Sequence, residues 1–341
     1  MALPLTSGAR SGDLGASRTA PSVIAVGPAS PPAARITARS RSLEKGNTGV
    51  TEAVVRNVFS VDLEDWYQGL EIDMDAWGAY PARIESGLDI LLDLLDQAGV
   101  KATFFVLGWQ AEQTPHLVPR LAARGHEIAS HGYSHRFVYR QGPDEFRAEL
   151  RRSLSVLEQQ SGGRVIGYRA PFFSITNDTL WALDILVEEG IIYDSSVFPT
   201  LNYRYGIPTA ERRPGWIQTP SGGRLFEVPL STVRVPSANS ALGVNVPLGG
   251  GGYFRLYPYP LTRALGRHLL DHEGHGLVFY VHPWEFDTQQ PRIRLPRWVP
   301  EVTHYHRLDS TAGKTRRLLA DFSFAPMREA FAEELATAGP R

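Results

Sequence analysis

Val54-Val55-Arg56-Asn57-Val58-Phe59-Ser60-Val61 runs directly into Asp62-Leu63-Glu64-Asp65, and the fold follows from how that junction is read. The first residues are mostly β-branched or aromatic, the composition of a buried strand. Three carboxylates at a strand end are unusual, because buried charge is costly unless it is paired. The same juxtaposition recurs along the chain, an apolar run and then a residue able to bind metal or move a proton. Val165-Ile166-Gly167-Tyr168 ends at Arg169, Ile191-Ile192-Tyr193 at Asp194, and Leu277-Val278-Phe279-Tyr280-Val281 at His282. Glu127-Ile128-Ala129-Ser130 ends at His131, and His135 follows four residues later.

Helical spacing fills the intervals. From Pro81 to Gly99 the apolar positions are Ile84, Leu88, Leu91, Leu92 and Leu95, with proline near the start and glycine at the stop. A strand over Val100–Leu107 and a helix over 115–124 follow. Pro143–Gln160 carries Phe146, Leu150, Leu154 and Leu157 on one face, and further helices are expected over 176–189 and 260–272. Strands alternating with helices pair in parallel, so their carboxyl ends share one face. The expected fold class is α/β, an incomplete (β/α)7-type barrel, that is, a distorted TIM barrel, with its site at those ends. A doubly wound open sheet would put its ligand at the same ends. Residues 200–226 read as loop before a short strand, Phe226–Leu230. Residues 236–258 read as an irregular insert whose Gly249-Gly250-Gly251-Gly252 run lacks the Gly-Lys-Ser/Thr of a phosphate loop and suggests a flexible substrate-side loop.

Residues 1–52, rich in Ala, Ser, Gly, Pro and Arg, show no period and read as a disordered tail; 53–290 form the barrel and 291–341 an extension packing on it. The 35 basic and 36 acidic residues nearly cancel, which leaves no electrostatic footprint for nucleic acid. A neutral partner is the better expectation. No run is long and apolar enough to cross a bilayer, and the first thirty residues lack the apolar block of a secretory signal. The default expectation is a cytoplasmic protein without an integral membrane segment, with export as the alternative.

The chain contains no cysteine, so any metal site must use histidine and carboxylate. His131 and His135 on one short turn can take adjacent corners of a coordination sphere. Taken together, Ser60-Val61-Asp62-Leu63-Glu64-Asp65, His131-Gly-Tyr-Ser-His135, Arg169-Ala-Pro-Phe172, Asp194-Ser-Ser and Tyr280-Val-His282 resemble, in order and spacing, the five motifs of the polysaccharide deacetylases of carbohydrate esterase family 4. The resemblance covers about residues 55–290. It is closest to an exosortase-associated group found in exopolysaccharide gene clusters, in which a Gly-Gly-Gly-Tyr-Phe-Arg segment and a C-terminal extension recur.

The resemblance implies a metal-dependent hydrolase removing N-acetyl groups from amino sugars of a polysaccharide or its precursor. Zinc is the expected metal, with cobalt, manganese or nickel as alternatives. By the same resemblance Asp62 is the general base, while His131, His135 and either Glu64 or Asp65 bind the metal. Arg169 holds Asp62, His282 is the general acid and Asp194 orients it. Phe172 offers a peptide N–H to the oxyanion, next to Pro171. Read from the residues alone, Tyr253, Phe254, Tyr257, Trp284 and Trp298 are candidates to offer flat faces to sugar rings, with core packing as the alternative. The physical requirements of amide hydrolysis agree: an activated water, a place for the oxyanion and a proton for the departing amine.

Two positions depart from the family pattern. Leu63 stands where a second aspartate is usual; strand alternation favours Glu64 as the metal carboxylate, whereas a strand that has already turned favours Asp65. Phe198-Pro199 stands where a tryptophan is usual, in the acetyl pocket. The competing readings are a catalytically inactive glycan-binding barrel, a metal-dependent hydrolase of another linear C–N bond, and a zinc peptidase. The peptidase would lack the glutamate that follows the first histidine in His-Glu-x-x-His.

Overall fold

β1 (Asn57–Leu63) is buried along its whole length and lies between two parallel partners, so it forms the spine of the sheet. The computed structural model describes residues 56–294 and 303–338, except 203 and 238–239. The expected tail at 1–52 and Trp298 therefore lie outside the described residues. In chain order the other strands are β2 (Thr103–Val106), β3 (Glu127–Ser130), β4 (Gly167–Tyr168), β5 (Tyr193–Asp194), β6 (Gly215–Gln218), β7 (Arg224–Glu227), β8 (Thr232–Ser237), β9 (Ser240–Pro247), β10 (Val278–Val281) and β11 (Phe324–Ala325). The main sheet runs β10-β1-β2-β3-β4-β5-β7-β6; every pairing along it is parallel except the antiparallel β6–β7 edge. This is the curled, distorted barrel expected from the alternation.

Helices cover the outside. α1 (Ile84–Ala98) buries Ile84, Leu88, Leu91, Leu92 and Leu95, as its spacing requires, and stops at Gly99 in the left-handed region. They pack in one cluster with Phe59, Val61 and Leu63, the outward face of β1. Val58, the first interior residue of β1, joins Phe105, Ala129, Tyr193, Phe226 and Val278 in a second cluster that also takes Met327, Ala330 and Leu335 from near the chain's end. Burying Met327 fully there contributes about 2 kcal/mol. The C-terminal region also supplies a strand, since β11 pairs with the start of β1 through Asn57 and Val58.

The insert is more ordered than its sequence suggests. β8 and β9 form an antiparallel hairpin, with alternating Val233-Arg234-Val235 opposite Val244-Asn245-Val246; Pro236, Gly243 and Pro247 obscure the alternation in sequence. The glycine run is not a flexible loop either. Gly250 bridges Tyr280 of β10, Tyr280 N–H donates to the Gly249 carbonyl at 2.7 Å, and Gly251–Leu256 is helical. A β-carbon on Gly250 would lie 1.9 Å from the Tyr280 carbonyl oxygen, so a side chain there is incompatible with this approach. The free edge of β10 is thus closed by bare backbone rather than by a full strand.

Gly250→Ala is expected to cost about 2–4 kcal/mol, because close contact adds to a φ of +127°. Gly163→Ala, whose β-carbon would meet nothing within 4 Å, should cost under about 0.5 kcal/mol. Urea unfolding midpoints of the two variants test the difference.

Candidate metal centre and active site

Strand alternation puts Val58, Ser60 and Asp62 on the interior face of β1, so Asp62 reaches the open end of the barrel. Its partner comes from the end of β4. Arg169 is fully buried and donates from Nη1 to Asp62 Oδ1 at 2.6 Å and to Ser60 Oγ at 3.0 Å. Its Nη2 and Nε hold Ser195 Oγ at 2.9 Å and the Ser195 carbonyl at 3.2 Å, and its plane lies 4.0 Å over the Phe105 ring.

After Leu63 the chain turns tightly, Glu64 N–H donating to the Asp62 carbonyl at 3.0 Å. Glu64 thereby stays on the Asp62 side and meets the two histidines. Single donor atoms of Glu64, His131 and His135 all lie within 4.8 Å of one another, and all three residues are buried. His131 Nδ1 donates to the Arg169 carbonyl at 2.8 Å, which leaves the Nε2 lone pair for the centre of the cluster. Burial pushes the His131 imidazole down to about 4, with nearby Asp62 opposing, so the ring is neutral at pH 7.

Glu64 Oε2 lies 2.7 Å from His135 Nε2, yet it has no partner in hydrogen-bonding geometry. A buried carboxylate oxygen facing an imidazole without a proper donor is suited to a shared cation. Burial alone would raise the Glu64 carboxyl, but His135, His282 and His131 together hold it well below the usual carboxylate range. Trp284 Nε1 donates to Glu64 Oε1 at 3.1 Å and fixes its orientation. Two neutralisable imidazoles and one ionised carboxylate fit a divalent metal with coordination positions to spare.

Asp65 does not join this cluster. Because β1 has ended, its carboxylate turns to the start of α1, accepting from Arg83 N–H at 2.7 Å, Ile84 N–H at 3.1 Å and Trp66 N–H at 2.8 Å. It satisfies open donors at a helix N-terminus. Burial nevertheless raises its pKa to about 6, those hydrogen bonds opposing.

His282, at the end of β10, points Nε2 towards Glu64 Oε1 at 3.4 Å and Asp62 Oδ2 at 4.0 Å. Its Nδ1 lies 2.7 Å from Glu285 Oε1, and its backbone N–H donates to the same oxygen at 3.0 Å. Burial would lower its pKa, but Glu64, Glu285 and Asp62 outweigh that and raise it.

Asp194 is not the partner of His282. It accepts from Ser196 Oγ at 2.5 Å and Ser196 N–H at 3.2 Å, and its neighbour in register on β7 is the buried Glu227. Burial raises Asp194 to about 6 and Glu227 well above its usual value. Sequence reasoning missed Glu285, whose only signal was its place three residues after His282, where a turn brings the side chain back to the histidine.

Of the expected substrate contacts, Phe172 has its ring 4.4 Å from His135 and stacked at 4.3 Å on Phe137. Pro171 lies beneath, in contact range of Gly132. Tyr253 packs instead against Phe198 and Tyr257, its hydroxyl 3.2 Å from that of Tyr205. A groove of about 420 Å³ opens beside His135 and Phe172 and includes Phe137, Arg140, Glu71 and Asp73. His135, Phe172, Phe173 and Glu71 all have left-handed backbones without being glycine, each at ~1–3 kcal/mol, the kind of strain that gathers at functional sites.

Residues 79–186, which carry His131, His135, Arg169 and Phe172, match the polysaccharide deacetylase family. Over that stretch the chain is similar to polysaccharide deacetylases. Residues 195–332 match a domain of unknown function, DUF3473. A peptidoglycan-N-acetylglucosamine deacetylase of Bacillus cereus is 38% identical over 95 residues, 28% of this chain and 34% of that protein. This chain spans about a third of the length of the curated relatives it first matches. In fold it is similar to a Mycobacterium smegmatis protein described as a polysaccharide deacetylase (TM-score 0.56, 21% identity, 90% of this chain and 98% of that one). It is similar also to Puue allantoinase (TM-score 0.53, 15% identity, 85% and 93%). Among the described residues no helix is long and apolar enough to cross a membrane.

Glu64→Ala is expected to weaken binding of a divalent cation such as zinc by at least about a hundredfold, since it removes one of the three side chains able to hold it. Asp65→Ala should bind zinc as the wild type does and lose ~1–2 kcal/mol of stability through the uncapped helix. Zinc calorimetry beside thermal melts separates these outcomes.

Proposed function

We propose that the chain is a metal-dependent deacetylase that removes N-acetyl groups from amino sugars in a polysaccharide or its biosynthetic precursor, with exopolysaccharide synthesis as its setting. The reading rests above all on one juxtaposition, the Glu64–His131–His135 cluster with Asp62 on one side and His282 on the other. The fold alone would not choose this substrate, since it is shared with an allantoinase.

A divalent metal, zinc by preference, would be held by Glu64, His131 and His135 and would supply Lewis-acid polarisation and an acidified water. Asp62 takes a proton from the attacking water as the new C–O bond forms at the acetyl carbon. Arg169 fixes the carboxylate by its 2.6 Å hydrogen bond. The C–N bond then breaks, and the amine nitrogen leaves with the proton of His282 Nε2. Acetate and a free amine result, Asp62 gives its proton up to solvent and His282 regains one from it. The half-buried Phe172 ring at the groove, backed by the buried Phe137, suits a pyranose ring.

Chelation should abolish acetate release from N-acetylglucosamine oligomers, and zinc or cobalt should restore it. Asp62→Asn should keep stoichiometric metal, measured by elemental analysis, yet lose turnover, because an amide cannot take the proton. His282→Ala should lose at least about a hundredfold on the acetamide and far less on an aryl acetate, whose leaving group needs no proton. Turnover that survives metal removal, or equal losses on both substrates, would overturn this function.

A further inference from the structure

Glu285 is fully buried and both of its carboxylate oxygens are engaged, Oε1 by His282 and Oε2 by Arg255, whose Nε donates to it at 2.7 Å. Arg255, 1% exposed, lies on the helix that follows the glycine bridge. Its other nitrogens donate to the carbonyls of Thr303 (2.8 Å), His304 (2.8 Å) and His306 (2.9 Å). A buried guanidinium with these partners has one place to sit, and so does the carboxylate it holds.

The rings beside it are fixed in turn. Trp284 lies between two imidazoles, stacked on His282 at 4.8 Å and on His304 at 4.0 Å. His304 Nε2 is 2.9 Å from Gln290 Oε1, and Gln290 donates back to the Trp284 carbonyl at 2.8 Å. Every group in this array lies in residues 195–332.

We propose that Glu285, locked by Arg255 and the backbone at 303–306, is the positioning residue that holds His282 by its Nδ1 proton and aims Nε2 at the reacting centre. Residues 195–332 therefore supply the proton-donating half of the active site, and Asp194 has no part in orienting His282. The inference rests on His282 being the proton donor of the proposed reaction. A carboxylate accepting at Nδ1 selects the tautomer that keeps Nε2 for the substrate and stops ring rotation. The short link from His282 to Glu285 and the buried Arg255 make that constraint rigid.

The test uses the full zinc-loaded chain, chitopentaose as amide probe and 4-nitrophenyl acetate as ester probe. Glu285→Gln should lower kcat on chitopentaose ~10–100-fold with KM within about twofold, and lower ester turnover less than about threefold. Asp194→Asn should lower the melting temperature and affect both probes alike. Nitrogen-15 spectra of the histidines, with His282 assigned by its loss in His282→Gln, should show an Nδ1-protonated ring that Asp194→Asn leaves in place and Glu285→Gln shifts. Should Glu285→Gln fail to fold, R255Q/E285Q, which removes both charges together, carries the same test. An Nδ1 signal indifferent to Glu285 but moved by Asp194 would overturn the inference. The spectra read the positioning without turnover, so chitopentaose left intact by a wild type with the expected spectrum counts against the proposed reaction and not against the placement of Glu285.

Discussion

A guanidinium sealed inside a barrel constrains everything around it. Arg169 brings a guanidinium with five N–H donors into the interior, so the surrounding structure must satisfy it. It takes a carboxylate and a hydroxyl from β1 and a hydroxyl and a carbonyl from the turn after β5, and it lies on an aromatic ring of β2. Its own carbonyl sets the tautomer of His131. One residue thus fixes the Asp62 carboxylate with its side chain, orients the His131 imidazole with its carbonyl and ties together strands from separate parts of the chain.

Much of this was legible in the sequence because strands and helices have different periods. The apolar runs located the strands, and Asp62, His131, Arg169 and His282 stand at their ends because parallel pairing puts those ends on one face. Glu64 and Asp65 could not be separated by periodicity, since the decision lies in a tight turn at Leu63 and in the donors that the start of α1 offers to Asp65. Asp194 also stands at a strand end, but a neighbouring serine and a second buried carboxyl claim it. Glu285 sits in a one-turn 3-10 helix, too short to leave a pattern. The β8–β9 hairpin was hidden by prolines and glycine within its strands.

The two family matches divide the chain in a way the site does not. Residues 79–186 contain His131, His135 and Arg169, residues 195–332 contain His282 and its surroundings, and Asp62 and Glu64 precede both. The barrel explains why the division does not matter chemically. Strands remote in sequence become neighbours in the sheet, so β10 lies against β1 and completes a site begun more than two hundred residues earlier.

That adjacency bears on how the protein is made. The strand that carries Asp62 has β10 on one side and β11 at its base, so its pairing is complete only once residues 278–325 have been synthesised. Contacts of such sequence separation slow folding, because a long loop must close before its pairing is rewarded. During translation β1 emerges early with one flank unpaired and the apolar face of Phe59, Val61 and Leu63 uncovered, a hazard for association with other chains. A nascent chain of this architecture carries that edge open until residues 278–281 have been made.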